Sequence, residues 1–236
     1  MTSTDRDLQG PDARAAGFIP LPDARPNDEP WPEMMWPPRA DVELVGRTVT
    51  LVPLDPIRHA AELFTMLDDD AVWAHLAGRP RTADAYAAKL RAAIAAGSHP
   101  WAVTLTEARP GFAAGAVIGT TSYLDISVLD ARLEIGSTAY ARPFWSSAVN
   151  PQSKLLLLEY AFDTLGAGRV QLKTDIRNER SQRAIERLGA TYEGILRRYQ
   201  RRGDGTVRDT VMFSITAEDW PRVSSALCER VASTLD

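Results

Sequence analysis

The chain switches between two hydrophobic periods. From Arg47 to Leu54 (RTVTLVPL) the apolar Val49 and Leu51 interleave with Thr48 and Thr50, a period of two that predicts a strand. From Asp55 to Leu67 the apolar positions Ile57, Ala60, Ala61, Leu63, Phe64 and Leu67 recur at helical spacing, and the acidic run Asp68–Asp70 follows. Thr82 is placed to cap a second helix, Ala83–Ala96, that stops at Gly97. Strands are predicted at Trp101–Thr106, Ala116–Leu124 and Leu133–Thr138, with RPGFAAG as a hairpin loop between the first two. Beyond Arg142 helices and strands alternate. A helix over Pro151–Leu165 carries the stripe Leu155, Leu158, Phe162 and Leu165 and ends at Gly166. A strand at Arg169–Asp175, a helix at Glu179–Leu188 ending at Gly189, and strands at Tyr192–Arg198 and Thr210–Thr216 around the turn Gly203–Gly205 complete the pattern. The order β-α-α-β-β-β-α-β-α-β-β, with no internal repeat, predicts an α/β (or α+β) domain around one mixed sheet.

The ends depart from this grammar. Residues 1–40 carry Pro20, Pro22, Pro26, Pro30, Pro32, Pro37 and Pro38, which suit neither helix interiors nor central strands, so an extended or partly disordered arm is expected there. Trp31, Met34, Met35 and Trp36 form an apolar cluster within it, suited to docking on the chain's own domain or on a partner subunit. The folded domain is placed at 41–222 and a helical tail at 223–236.

Composition narrows the function classes. A chain of 236 residues supports one domain with a real core. A net charge of −4 argues against a polyanion binder. Cys228 is the single cysteine, so no internal disulfide forms, and its polar surroundings favour a plain small side chain over a nucleophile. His59, His75 and His99 lack metal-ligand spacing, and no metal is expected. No apolar run approaches the roughly 18 residues of a membrane span, and the first residues lack an apolar signal core. A cytoplasmic location is the expectation.

Three places carry candidate chemistry. Asn150-Pro151 reads as an N-cap and first-turn proline, and the start of a helix offers unpaired N–H groups and about half a positive charge to an anion. Ser146, Ser147 and Ala148 before it are small enough to admit a phosphate. Asn178 reads as the N-cap of the helix at 179–188, with Ser181 in its first turn. Arg180, Arg183 and Arg187 share a face of that helix, either as a solvated charged surface or as a cofactor-phosphate surface. Glu134 alternates with Leu133 and Ile135, so it faces away from them, either as a general base or as an ordinary strand residue. Gly136 marks a bulge or a close approach.

LEIG, then LLLLEYAFDTLGAGRVQLKTDIRNERSQRAIERLGATYEGILRR, then GDGTVRDTVMFSI, closely resembles the GCN5-related N-acetyltransferase (GNAT) superfamily, in the branch that holds the ribosomal-protein N-terminal acetyltransferases. The strong resemblance covers Glu134–Ser214, and a weaker one reaches back to Gly46. It implies a mixed sheet splayed between the strands at 133–138 and 169–175, with the pantetheine arm of an acyl-CoA pairing with strand edges at Ile135, Gly136 and Ser137. It also implies a pyrophosphate held at Ser147, Ala148, Val149 and Asn150, with Lys154, Asn178, Ser181 and Arg187 completing the cofactor contacts. Acetyl-CoA is the implied co-substrate, a primary amine the acceptor and a homodimer a common assembly. The implied reaction is direct transfer, with Glu134 as base through water, N–H groups near Gly136 and Ser137 for the oxyanion, and Ser181, or failing it Tyr192, as proton donor to the leaving thiolate.

Two departures stand out. The family's glycines give way to Ala148 and Asn150 in WSSAVNP, and Ala139 stands where a large aromatic is usual. The first motivates an alternative, a non-catalytic GNAT-like binding or regulatory protein with a degenerate CoA loop. A second alternative, an RNA-associated module, rests on Arg197, Arg198, Arg201 and Arg202, for which a solvated hairpin is the plainer account. The same arginines would suit an acidic acceptor or acyl group.

Overall fold

The computed structural model describes residues 19–23, 30 and 33–233. The expected disorder of the arm, and Trp31 within its apolar cluster, fall outside the described residues. Residues 19–23 and 30 belong to a separate unit, 1–30, and lie exposed without helix or strand. The second unit spans residues 31–236.

Its elements are β1 (Leu44–Val45), β2 (Val49–Pro53), α1 (Pro56–Met66), α2 (Asp70–Trp73), α3 (Ala83–Ala95), β3 (His99–Leu105), β4 (Val117–Ser127), β5 (Arg132–Tyr140), α4 (Val149–Glu159), β6 (Arg169–Asp175), α5 (Glu179–Glu186), β7 (Thr191–Arg201), β8 (Val207–Thr216) and α6 (Trp220–Ser233). Local chemistry accounts for several boundaries. Asp55 accepts from the Ile57 and Arg58 N–H groups at the start of α1, and Thr82 accepts from Ala85 N–H at the start of α3. The acidic run after α1 is itself a cap, because Asp69 accepts from Ala71 N–H and starts the one-turn helix α2. The long helix expected to reach Leu165 is α4 only as far as Glu159. It then widens into a π-helical turn, Tyr160–Thr164, closed by Leu165 N–H donating to the Tyr160 carbonyl at 2.9 Å.

One eight-stranded sheet runs β1-β2-β3-β4-β5-β6-β8-β7. Every neighbouring pair is antiparallel except β5–β6. That parallel pair is short: Arg132, Leu133 and Glu134 pair with Arg169, Val170 and Gln171, and both strands continue without pairing beyond. The sheet is therefore splayed at its centre, as expected. Tyr123 donates to the Leu157 carbonyl and Thr121 meets Lys154, so these β4 positions face α4. Leu124 and its partner Glu134 face the other way. Gln152 fixes α4 to β2 by accepting from the Thr48 and Val49 N–H groups.

Met34 is buried in the core and Trp36 packs edge-on against His99 and Tyr123. Met35 N–H donates to the Leu165 carbonyl at 2.7 Å while its side chain stays exposed. This part of the apolar cluster thus docks on its own domain. No helix among the described residues is long and apolar enough to cross a membrane, and no cluster of three or more His, Cys, Asp or Glu suited to a metal occurs among them.

Candidate active site

Glu134 is the last β5 residue to pair with β6, so its side chain stands where the two strands begin to part. It is 3% exposed. Gly136 provides the room: a Cβ there would lie 2.7 Å from Glu134 Oε1 and 2.8 Å from Leu124 Cδ1. The glycine answers a close approach, as one of the two sequence alternatives had it, and the bulge lies one residue later. Lys173 Nζ sits 2.6 Å from Glu134 Oε2. The ammonium and the buried carboxyl form a short ion pair, the chief compensation for burying the carboxyl. Burial raises the Glu134 pKa above the usual carboxylate value, with Lys173 opposing. Burial pulls the Lys173 ammonium down, but Glu134 and Tyr199 together outweigh it and hold its pKa up. Lys173 also donates to the Tyr199 hydroxyl at 3.3 Å and lies 5.1 Å over its ring. Gln171 donates to Asp125 at 2.8 Å, and Asp125 pairs with Arg132, extending the polar face.

The other face of β5 holds a different device. Ser122 pairs with Gly136 and Thr120 with Ala139, so Ser137 and Thr138 together oppose the single residue Thr121. This is a β-bulge, and Ser137 takes a φ of 48° within it. The extra residue reverses the alternation, so Thr138 faces α4 rather than sharing Glu134's face. There the Thr121 and Thr138 hydroxyls lie 2.8 Å apart, and Lys154 Nζ donates to them at 3.2 and 2.7 Å respectively. The resemblance puts Lys154 among the cofactor contacts. The structure instead places its ammonium in the interior at the bulge, where burial lowers its pKa to about 7.

The loop before α4 also differs from expectation. The helix begins at Val149 with Ala148 in the capping position, and Asn150 is already helical, so Asn150 is not the N-cap. The Ser147 hydroxyl takes that role, accepting from Val149 N–H at 3.2 Å and donating to the Phe144 carbonyl. Pro151 has no N–H, which leaves that of Asn150 for the first turn to offer. Ser146 has a φ of 57°, a left-handed turn that brings the chain into the helix. A cationic element that spacing did not suggest lies beside this loop. The Trp145 indole has the Arg180 guanidinium 3.6 Å and the Arg142 guanidinium 5.1 Å from its ring centre.

At α5 the cap is as read from sequence: Asn178 Oδ1 accepts from Ser181 N–H at 3.1 Å. The three arginines do not act as one face. Arg180 stacks on Trp145, Arg183 bridges Glu179 at 3.0 Å, and Arg187 is an exposed C-cap residue. A cleft of about 360 Å³ opens here, lined by Ala71 of α2, Ala74 and His75 on one side and by Arg177, Asn178, Glu179 and Arg180 on the other. Ile135 is buried, and Gly136 and Ser137 lie where β5 no longer pairs with β6. Tyr192 pairs with Phe213, which pairs with Leu172, so it stands on the face opposite Glu134. The structure therefore brings Glu134, Gly136 and Ser137 together at the splay and leaves Tyr192 apart. Lys173 went unnoticed in the sequence. Alternation puts it with Gln171, but only the parallel register of β5 on β6 brings that face to Glu134.

These elements coincide with a known domain. Residues 48–191 match the Acetyltransferase (GNAT) domain family, a span that includes Glu134, the bulge, α4 and α5. The N-acetyltransferase p20 of Bacillus licheniformis, itself uncharacterized, is 29% identical over 104 residues, covering 44% of this chain and 57% of that relative, little more than half its length. An acetyltransferase structure from T. thermophilus is 38% identical, superposes with a TM-score of 0.72, and covers 83% of this chain and 99% of its own. Ribosomal-protein-S5-alanine acetyltransferase from Vibrio fischeri, at 16% identity, shares the fold with a TM-score of 0.62, covering 76% of this chain and 99% of its own. The chain belongs to the GNAT acetyltransferase family.

Proposed function

We propose that this protein transfers an acyl group, most simply acetyl, directly from acyl-CoA to a primary amine. The observation that carries this is the buried Glu134 carboxyl, set at the point where β5 and β6 part and paired with Lys173. Acyl-CoA supplies the thioester. The unpaired edges of β5 and β6 fit an extended arm, and the N–H groups of the Ser146–Asn150 loop, with Arg142 and Arg180 nearby, fit its phosphates. Ser147, Ala148 and Val149 would lie along those phosphates, and Asn178 and Ser181 along the arm near the sulfur.

Glu134, through water, takes a proton from the ammonium form of the acceptor. The free amine then forms its C–N bond as the C–S bond breaks. A carboxylate whose pKa burial has raised is a better base than an exposed one, and Lys173 opposes that rise. N–H groups at Gly136 and Ser137, beyond the last residue that pairs with β6, would receive charge developing on the carbonyl oxygen. Ser181 can relay the second proton, shed by the acylated nitrogen, to the leaving thiolate, taking one up as it gives one. A thiol pKa near ~8.5 makes that help modest. The test is calorimetry with acetyl-CoA followed by thiol release over a panel of amines. Saturable binding and amine-dependent release are expected. Absence of binding at high micromolar acetyl-CoA would overturn the proposal and favour a degenerate loop.

A further inference from the structure

The polar face around Glu134 is almost fully matched in charge. Asp125 pairs with Arg132 at 3.2 Å, Glu134 with Lys173 at 2.6 Å, Asp175 with Arg202 at 2.5 Å and Glu193 with Arg169 at 2.5 Å. Arg208 is the exception. Among the described residues no carboxylate lies within ion-pair distance of it, and its one hydrogen bond is Nε to the Thr210 hydroxyl at 3.0 Å. It is half-buried, and burial lowers its pKa, yet a guanidinium stays protonated throughout the working range. A charged, partly desolvated fork with uncommitted N–H donors is suited to a bidentate anion.

Its position tells which part of the site it serves. Asp175 pairs with Thr210 and Lys173 with Met212, so Arg208, two residues before Thr210, stands on the same face as Lys173 and Glu134. The bond to Thr210 tilts its side chain along β8 towards that pair. Asp175 and Glu134 both act electrostatically on the guanidinium. Asp175 is already held by two bonds from Arg202, so it does not neutralise Arg208. The face thus offers a carboxylate base at one end and an unmatched cation at the other, with a tyrosine hydroxyl, Tyr199, over the lysine between them.

We propose that the acceptor is an amine carrying its own carboxylate, as an amino acid does, with the nitrogen directed to Glu134 and the carboxylate held by Arg208. This rests on the acyltransferase reading above and narrows its acceptor. A neutral amine would leave Arg208 unmatched, and a polyamine would add like charge beside it and Lys173.

The test uses the full chain, acetyl-CoA and paired acceptors: amino acids against their amides or decarboxylated amines. The wild-type protein is expected to favour the carboxylate-bearing member by about 10- to 100-fold in kcat/KM. Arg208→Gln should erase that preference by raising the acceptor KM, with the acetyl-CoA KM and the melting temperature unchanged, and Arg208→Lys should restore part of it. Equal or better turnover of the uncharged members, or failure of every carboxylate-bearing amine in a protein that binds acetyl-CoA, would overturn the inference alone. A raised acetyl-CoA KM in Arg208→Gln would also overturn it, by assigning the arginine to the donor. A protein that neither binds acetyl-CoA nor releases thiol would instead remove the acyltransferase reading.

Discussion

On one face of β5 the Glu134 carboxylate meets the Lys173 ammonium; on the other, beneath Thr138, the Lys154 ammonium meets only hydroxyls. Both charges are buried, yet their environments differ in kind. A countercharge stabilises the ionised form and offsets much of its desolvation, so Glu134 and Lys173 sustain each other. Two threonine hydroxyls supply hydrogen bonds but no opposite charge, so Lys154 holds its proton weakly, with a pKa of about 7. The face with a matched pair retains a polar, chargeable surface at the splay. The face with the lone lysine accepts a less stable interior in return for tying β4, the bulge of β5 and α4 together.

Breaking the matched side should produce the largest effect. Lys173→Met leaves a buried carboxylate without its partner, and a loss of about 3–5 kcal/mol is expected at neutral pH. The sign follows from Glu134. Its folded-state pKa is already raised by burial, and without Lys173 it rises further. The resulting penalty is full above the folded pKa and shrinks as pH falls, disappearing below the unfolded value near ~4.3. Denaturant melts of wild type and variant from pH 8 down to pH 4 should converge. Parallel curves would mean that the pair contributes packing and not charge.

Glu134→Gln tests the same side through chemistry. The isosteric amide removes the base and leaves the shape, so kcat/KM should fall by about 10²-fold, or about 2.7 kcal/mol. Thiol release at neutral pH measures it. Activity near that of wild type would dismiss Glu134 as the base, whatever happens to stability.

The lone lysine predicts the opposite direction. In Lys154→Met the threonine hydroxyls keep their mutual bond at 2.8 Å while the buried ammonium is gone. Stability should rise by about 1–3 kcal/mol at neutral and lower pH, roughly 2–4 °C in Tm per kcal/mol for a domain of this size. The advantage should fade towards alkaline pH. Between about 7 and the unfolded lysine value near ~10.4, the folded state has lost the proton that the unfolded chain keeps, so wild-type stability climbs towards that of the variant. A destabilised Lys154→Met would show that the ammonium's bonds outweigh its desolvation. Because the bulge positions the N–H groups assigned to the oxyanion, the same variant should lose activity while gaining stability.

How much of this was legible in the chain follows the range of each interaction. The strand Arg169–Asp175 and the caps Thr82 and Asn178 rest on alternation and on bonds spanning a few residues, and the structure reproduces them. Asn150 misled because Asn-Pro is a strong local signal, whereas the helix started earlier through Ser147. The resemblance set Lys154 among the cofactor contacts, four residues after Asn150. Its burial depends on a bulge that flips Thr138, and nothing local announces a bulge that uses serine where glycine is usual. Lys173 and Arg208 join Glu134 through the registers of β6 on β5 and β8, which are set by the whole sheet.

The smallest change expected to separate the two faces is Gly136→Ala. Gly136 lies just before the bulge and does not use the left-handed backbone region, so alanine suits its conformation. The new methyl would fall 2.7 Å from Glu134 Oε1 and 2.8 Å from Leu124 Cδ1, both ends of side chains that can yield by rotation. The entropy gained by stiffening the unfolded chain, about 0.4–1 kcal/mol, works against that crowding, and net stability should move by less than about 1 kcal/mol. The carboxylate cannot keep both its place and its contact with Lys173. A displacement of the base by a fraction of an ångström should lower kcat by about tenfold and leave the acetyl-CoA KM unchanged. On the Lys154 face nothing moves, so the alkaline rise in stability should persist in this variant. Loss of that rise would show that the two faces of β5 are mechanically coupled through the bulge; unchanged kcat would show that Glu134 has more freedom than its burial suggests.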